Sequence, residues 1–294
     1  MRAQYFTPKI FKVFSAIIFT ILLALFCPNP LPFAVAKSAT PSSNTVVESN
    51  LVNKSNTDLC IQTPRALKKI IIDPGHGGKD PGCKGKLFAE KDINLQVALK
   101  LGEVIRQNFP QVEVIYTRDI DIFVPLWQRS LMANKYGADI FISIHCNSHP
   151  KSKSVRGSEV YIMSENIGAT SFTEQIENEV IKLEENYQNK YSFDPAEPLD
   201  PATRAILGEI FKADNMDQNT NLASLISNKL CVLPNLPCRG VKQGNFWVLY
   251  KTGIPSVLVE IGYLSNATEE LYLGSEEGQN EIANAMFDAL LLFY

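Results

Sequence analysis

The sequence predicts an α/β fold: one domain with a mostly parallel, twisted sheet flanked by helices and with its chemistry at the C-terminal ends of the strands. Three observations predict it. Short apolar runs alternate with stretches of helical periodicity from about residue 67 to the C-terminus. Ile140-Phe141-Ile142-Ser143-Ile144 is almost continuously apolar, the pattern of a strand buried on both faces. Ile70-Ile71-Ile72 stops abruptly at Asp73-Pro74-Gly75-His76-Gly77-Gly78. Proline cannot continue a central ladder there and glycine opens backbone conformations closed to other residues, so His76 stands on a tight loop at a strand end.

Taken in order, Lys68–Asp73 is the first strand, and Asp92–Gln107 is a helix whose stripe is Ile93, Val97, Leu101, Val104 and Ile105. Val112–Thr117 is a strand, Pro125–Lys135 a helix with proline at its start, Asp139–Ile144 the buried strand and Ser158–Met163 a fourth. A segment from about 164 to 220 breaks the alternation. Asn221–Leu230 is helical through Leu222, Leu225, Ile226 and Leu230; Phe246–Tyr250 and Ser256–Ile261 read as strands; Glu281–Leu292 closes the chain as an amphipathic helix.

Ahead of this domain, Arg2, Lys9 and Lys12 precede an apolar run from Val13 to Phe26, and Pro28, Pro30 and Pro32 lead to Ala34-Val35-Ala36. Basic, apolar and small-residue segments in that order make residues 1–36 a secretory signal peptide cleaved after Ala36. The run falls short of the ~20 residues of a membrane span, so the mature form has none. Bulky Phe26 argues against lipidation at Cys27. Residues 37–66, rich in Ser, Thr, Asn and Pro, form a flexible linker to a globular domain over 67–294. A net charge of −3 with scattered Lys and Arg excludes a nucleic-acid footprint or an anionic-membrane patch. Cleavage leaves Cys60, Cys83, Cys146, Cys231 and Cys238, an odd number; Cys231 and Cys238 flank a Pro-rich turn and can close a small disulfide loop.

Three residues form a candidate metal set: His76 after the first strand, Glu90 at the head of the first helix, and His145 at the end of the buried strand. Two imidazoles and a carboxylate suit catalytic zinc, because three protein ligands leave a fourth position for water. A carboxylate at a helix start is also favoured by the dipole alone, so Glu90 carries both readings. His149 is a rival ligand by its i, i+4 spacing from His145, although Cys146-Asn147-Ser148 and Pro150 favour a loop. Glu260, in Val257-Leu258-Val259-Glu260-Ile261, is an ionisable group in an apolar strand and needs a partner. It is either a general base beside the metal or the partner of an arginine such as Arg239.

Asp73-Pro74-Gly75-His76-Gly77-Gly78, Glu90 with Lys91-Asp92-Ile93-Asn94-Leu95, Thr117-Arg118, Ser143-Ile144-His145-Cys146-Asn147 and Val259-Glu260-Ile261-Gly262-Tyr263-Leu264-Ser265-Asn266 follow one another along the chain. In this order and rough spacing they resemble the zinc-dependent N-acetylmuramoyl-L-alanine amidases of the amidase-3 family, over residues 67–294. The resemblance implies His76, Glu90 and His145 as ligands of one zinc ion and Glu260 as the catalytic carboxylate. It further implies hydrolysis, in the cell envelope, of the amide joining N-acetylmuramic acid to L-alanine in peptidoglycan. Cys83 and Cys146 depart from the pattern, standing where small residues are usual. Two other classes stay open: a wall-binding protein that keeps the fold without turnover, and a zinc hydrolase of other bond specificity, such as an endopeptidase or a deacetylase.

A Ser/His/Asp triad has only Ser143 near His145, and Ser143 is expected to face away. Asp121 and Arg129 are expected to pair and fix their loop. In the 164–220 insertion, Phe172, Ile176, Val180 and Leu183 make one apolar helix face, with Glu174, Glu177, Glu184 and Glu185 largely elsewhere. A Pro- and Asp-rich stretch and a short helix with Ile206 and Ile210 follow. An insertion this long at a site edge is a lid or regulatory element. Some relatives cover the zinc with a helix until an activator partner removes it, so two roles are expected for the insertion: shaping the cleft, or blocking it with a carboxylate at the open metal position.

Overall fold

The structure, a computed structural model, describes residues 66–164, 170–187, 214–250 and 252–294. The leader, nearly all of the linker, Cys60 and the helix expected around Ile206 and Ile210 lie outside these residues. The elements are β1 (Lys69–Pro74), α1 (Glu90–Asn108), β2 (Glu113–Tyr116), α2 (Leu126–Lys135), β3 (Ile140–Asn147) and β4 (Ser158–Met163). They continue with α3 (Phe172–Glu179, extended by a 3-10 turn, Val180–Leu183), α4 (Asp214–Leu230), β5 (Cys238–Gly244), β6 (Ser256–Tyr263), α5 (Ala267–Leu273) and α6 (Glu276–Phe293).

Six strands form one sheet in the order β2-β1-β3-β6-β4-β5. The first four in that order run parallel; β4 is antiparallel to β6, and β5 runs parallel to β4. Every residue of β3 and β6 is buried, as their apolar runs require at the centre of a two-sided sheet. On one face Ile70, Ile72, Ile142 and Val259 pack with Val97, Leu101, Leu222, Ile226 and Ile282 of α1, α4 and α6. On the other, Ile71, Phe141 and Leu258 meet Leu126 of α2 and the segment Phe246–Tyr250. That segment corrects the sequence reading: it is a buried turn, closed by hydrogen bonds onto Phe246 O, and not a strand. The edge strand is Cys238–Gly244, whose polar, largely exposed residues hide it from an apolar-run criterion. Cys231 and Cys238 form the expected disulfide, tying the end of α4 to β5, while Cys83 and Cys146 are free thiols. No helix among the described residues is long and apolar enough to cross a membrane.

The loop after β1 is held by charge. Asp73, fully buried, accepts from Arg129 Nη1 at 2.8 Å, from Ser143 Oγ at 2.7 Å and from Thr117 Oγ1 at 2.5 Å. Arg129 therefore pairs with Asp73 and not, as its loop position suggested, with Asp121, which instead accepts from Lys91 Nζ and Gly78 N. Ser143 shares the face of β3 that carries His145, by strand alternation, but its hydroxyl is committed to Asp73. Removing Arg129 strands a buried carboxylate and strips the carbonyls of Pro74, Val124 and His76 of a donor. Arg129→Ala is expected to lower stability by roughly 3–5 kcal/mol, read from the urea midpoint. A loss below about 1 kcal/mol, the surface ion-pair range, overturns this account.

Candidate metal centre and active site

β1, α1 and β3 deliver the three expected ligands to one point, and α3 adds a fourth. His76 sits two residues beyond β1 in a left-handed conformation (φ 60°). Its Nδ1 contacts Asp80 Oδ2 at 2.8 Å, which aims Nε2 inward. His145, on β3, packs its ring over Gly75, where any Cβ would lie 2.3–2.7 Å from the ring atoms. Glu90, the first residue of α1, is fixed by backbone donors: Cys83 N to Oε2 at 2.8 Å and Cys146 N to Oε1 at 3.0 Å. Asn94 Nδ2, one turn on, adds a third hydrogen bond to Oε1 at 3.2 Å.

The ligand atoms converge. His76 Nε2 lies 3.0 Å from Glu90 Oε1 and 3.1 Å from Glu177 Oε2. His145 Nδ1 lies 3.1 Å and 2.8 Å from the same two oxygens. Tetrahedral coordination at about 2.0 Å gives ligand–ligand edges of roughly 3.3 Å, so the spacing suits a small divalent ion. Of the described residues, His76, Glu90, His145 and Glu177 form the group that can hold a metal, and all four are buried. His76 Nε2 and Glu177 Oε2 have no hydrogen-bond partner, as expected of atoms placed for an ion. His149 is not in the group: its Nδ1 accepts from Lys151 N and Ser152 N in a local turn.

Burial opposes charge on both imidazoles, but Glu90 and Glu177 outweigh it, lifting His145 to about 10 and His76 well above its usual value. Without metal the cluster therefore holds protons where a dication would sit. Glu260 is the register partner of His145 on the neighbouring strand. Both of its carboxylate oxygens are buried without a partner, and burial, then the charge of Glu177, raises its pKa well above the ordinary range. The alternative partner, Arg239, is bound to Glu159 instead.

The insertion helix departs from its amphipathic reading. Phe172 and Leu183 are 43% and 41% exposed, while Thr173, Glu174, Glu177 and Glu184 are buried. The polar stripe faces inward because polar groups of the domain meet it. Glu174 accepts from Asn245 N at 2.6 Å and Glu184 from Leu126 N at 2.9 Å. Asn178 bonds Asn245 O and Trp247 N, and Thr173 meets Asn147. Sequence reasoning singled out no individual carboxylate of this helix as the fourth group. It also passed over Asp80, whose signal is a carboxylate four residues after the loop histidine.

Residues 70–291 match the family described as N-acetylmuramoyl-L-alanine amidase, Amidase_3. The chain belongs to this family. AmiA of Escherichia coli, an N-acetylmuramoyl-L-alanine amidase, is 30% identical over 258 residues, 86% of each chain. Among solved structures, AmiC2 of Nostoc punctiforme is 28% identical with a TM-score of 0.56, over 76% of this chain and 96% of that one. The CwlD amidase of Clostridioides difficile, solved with the GerS lipoprotein, is 25% identical with a TM-score of 0.56, over 77% of this chain and 98% of that one.

Asp80 touches no other member of the metal group, so its replacement isolates the orienting contact. Asp80→Ala is expected to weaken metal affinity about 10–100-fold in a folded protein, by competition with a chromophoric chelator. Unchanged affinity overturns the orienting role.

Proposed function

We propose that this family member is a zinc-dependent peptidoglycan hydrolase cleaving the amide between N-acetylmuramic acid and L-alanine, exported to the periplasm or cell exterior. The observation that carries the reading is Glu260, whose two unpartnered buried oxygens lie beside the converging His76, Glu90 and His145. Zinc fits the donor set of two imidazoles and carboxylate oxygen, and when bound it supplies Lewis acidity that polarises the scissile carbonyl and acidifies water. Glu260 then takes a proton from the attacking water and returns it to the departing amine, which leaves poorly unless protonated. The leader read in residues 1–36 and the wall-directed activity of the family agree on export.

The reading also makes α3 a block. Glu177 stands at the position a catalytic site keeps open, and His76, Glu90, His145 and Glu260 are at most 3% exposed, which leaves a muropeptide no access. An activator protein that draws α3 away would open the cleft; the lipoprotein-bound CwlD structure supports partner docking on this fold.

Two experiments test this. Chelation is expected to abolish hydrolysis of purified wall and zinc to restore it, the product being an intact stem peptide with a free alanine amine by mass spectrometry. Glu260→Gln should keep its zinc while turnover falls about 10²–10⁴-fold. Cleavage elsewhere in the wall, or metal loss in Glu260→Gln, contradicts the assignment. For the block, Glu177→Ala, and deletion of residues 168–215, are expected to raise the rate several-fold. An unchanged or lower rate in a folded, zinc-loaded protein leaves α3 as a wall of the substrate cleft.

A further inference from the structure

We propose that Arg239 and Lys242 form a docking point for a carboxylate of the stem peptide, next to Glu260; this rests on the amidase reading. The antiparallel register of β4 and β6 sets Glu159 directly across from Glu260, on the same face of the sheet. Glu159 is 1% exposed and both its oxygens are occupied. Oε1 accepts from Arg239 Nε, from Lys242 Nζ at 2.6 Å and from the Tyr263 hydroxyl at 3.0 Å. Oε2 accepts from the Tyr161 hydroxyl at 2.6 Å and from Asn147 Nδ2 at 3.3 Å.

One buried carboxylate thus anchors two cations, and one positive charge is left over. Neither cation is exhausted by the contact. Among the described residues Arg239 commits Nε alone, so its two terminal amino groups keep their donors, and the side chains of Arg239 and Lys242 are 38% and 36% exposed. The Arg239 guanidinium lies 5.6 Å from the Tyr263 ring centre and the Lys242 amine 5.8 Å from that of Tyr161. A partly exposed guanidinium pinned at its inner nitrogen keeps its outer pair for a bidentate hold on a carboxylate. Because folding has already fixed the side chain, binding does not bear that ordering cost. Of the nearby acids, Glu174 accepts from Asn245 N, and Glu269 accepts from Tyr263 N while also sensing the charges of Arg156 and Arg239.

The substrate's chemistry makes this directional. An N-acetylated glycan is uncharged, whereas the stem peptide beyond L-alanine carries free carboxylates. The surplus cation on β5 attracts those carboxylates and lays the stem towards the β4–β5 edge, leaving the β1 side for the sugar.

The test uses N-acetylmuramoyl-L-alanyl-D-glutamate and its bis-carboxamide as substrates. It also uses the matching free dipeptides as equilibrium-binding probes, on the full chain unaltered and carrying Glu177→Ala. The carboxylate form is expected to be preferred about tenfold or more in kcat/KM, through KM, and its dipeptide to bind correspondingly tighter. Arg239→Gln should bring kcat/KM on the carboxylate form down to that on the bis-carboxamide, erasing the preference. Arg239→Lys, which retains a charge for Glu159 but no fork, should fold and keep only part of it. If neither substrate is cleaved but carboxylate-selective binding is present and lost in Arg239→Gln, the amidase reading fails and the docking point stands. No selectivity in the parent chains, or equal losses on both forms in Arg239→Gln and Arg239→Lys, overturns the proposal.

Discussion

Two buried guanidiniums hold the backbone on which the site is built. Arg129 donates to the carbonyls of Pro74 and His76, and Arg118 to those of Pro74 and Gly75. Three successive carbonyls leaving a central strand are thereby satisfied without a ladder, at a point where water has no access. The left-handed His76 costs on the order of 1–2 kcal/mol and persists because these contacts over-determine it. Asp73 neutralises Arg129, Thr117 and Ser143 orient Asp73, and Arg118 reaches on to Lys91 O in the first turn of α1. His76 and, through the first turn of α1, Glu90 are thus referenced to one rigid frame.

Charge is the second theme. Glu90, Glu177 and Glu260 crowd one buried volume with two imidazoles, and without metal the imbalance is met by protonation. A dication replaces those protons, so loading and proton release are one event. In the proposed ligand set, two imidazoles and two carboxylates neutralise the ion and fill its shell as a structural site would. Withdrawal of Glu177 turns the same centre into one with a net charge and a free position.

Much of this was legible in the sequence. The β-branched runs placed β1, β3 and β6, and each of the three metal candidates interrupts a pattern: a histidine among glycines, a histidine ending an apolar strand, a glutamate opening a helix. Glu260 stood out for the same reason. What stayed hidden depends on context. Cys238–Gly244 makes an edge strand from polar alternation, and Phe246–Tyr250 is apolar because it lies under the sheet, not in it. The orientation of α3 escaped because Ile176 and Glu177 differ by about 100° around a helix, and only the polar groups waiting at Leu126, Asn147, Asn245 and Trp247 decide which turns inward.

That inverted helix has a thermodynamic consequence. Within the described part of the insertion, apart from Val180 and the partly buried Ile181, the docked face is made of carboxylates, amides and a hydroxyl, while Phe172 and Leu183 already meet solvent. Opening such a contact uncovers little new apolar surface and so carries a small heat-capacity change. The opening enthalpy then varies little with temperature, whereas the buried carboxylate–imidazole contacts tie the closed state to proton activity. A clasp of this kind is coupled to the protonation of the groups it covers.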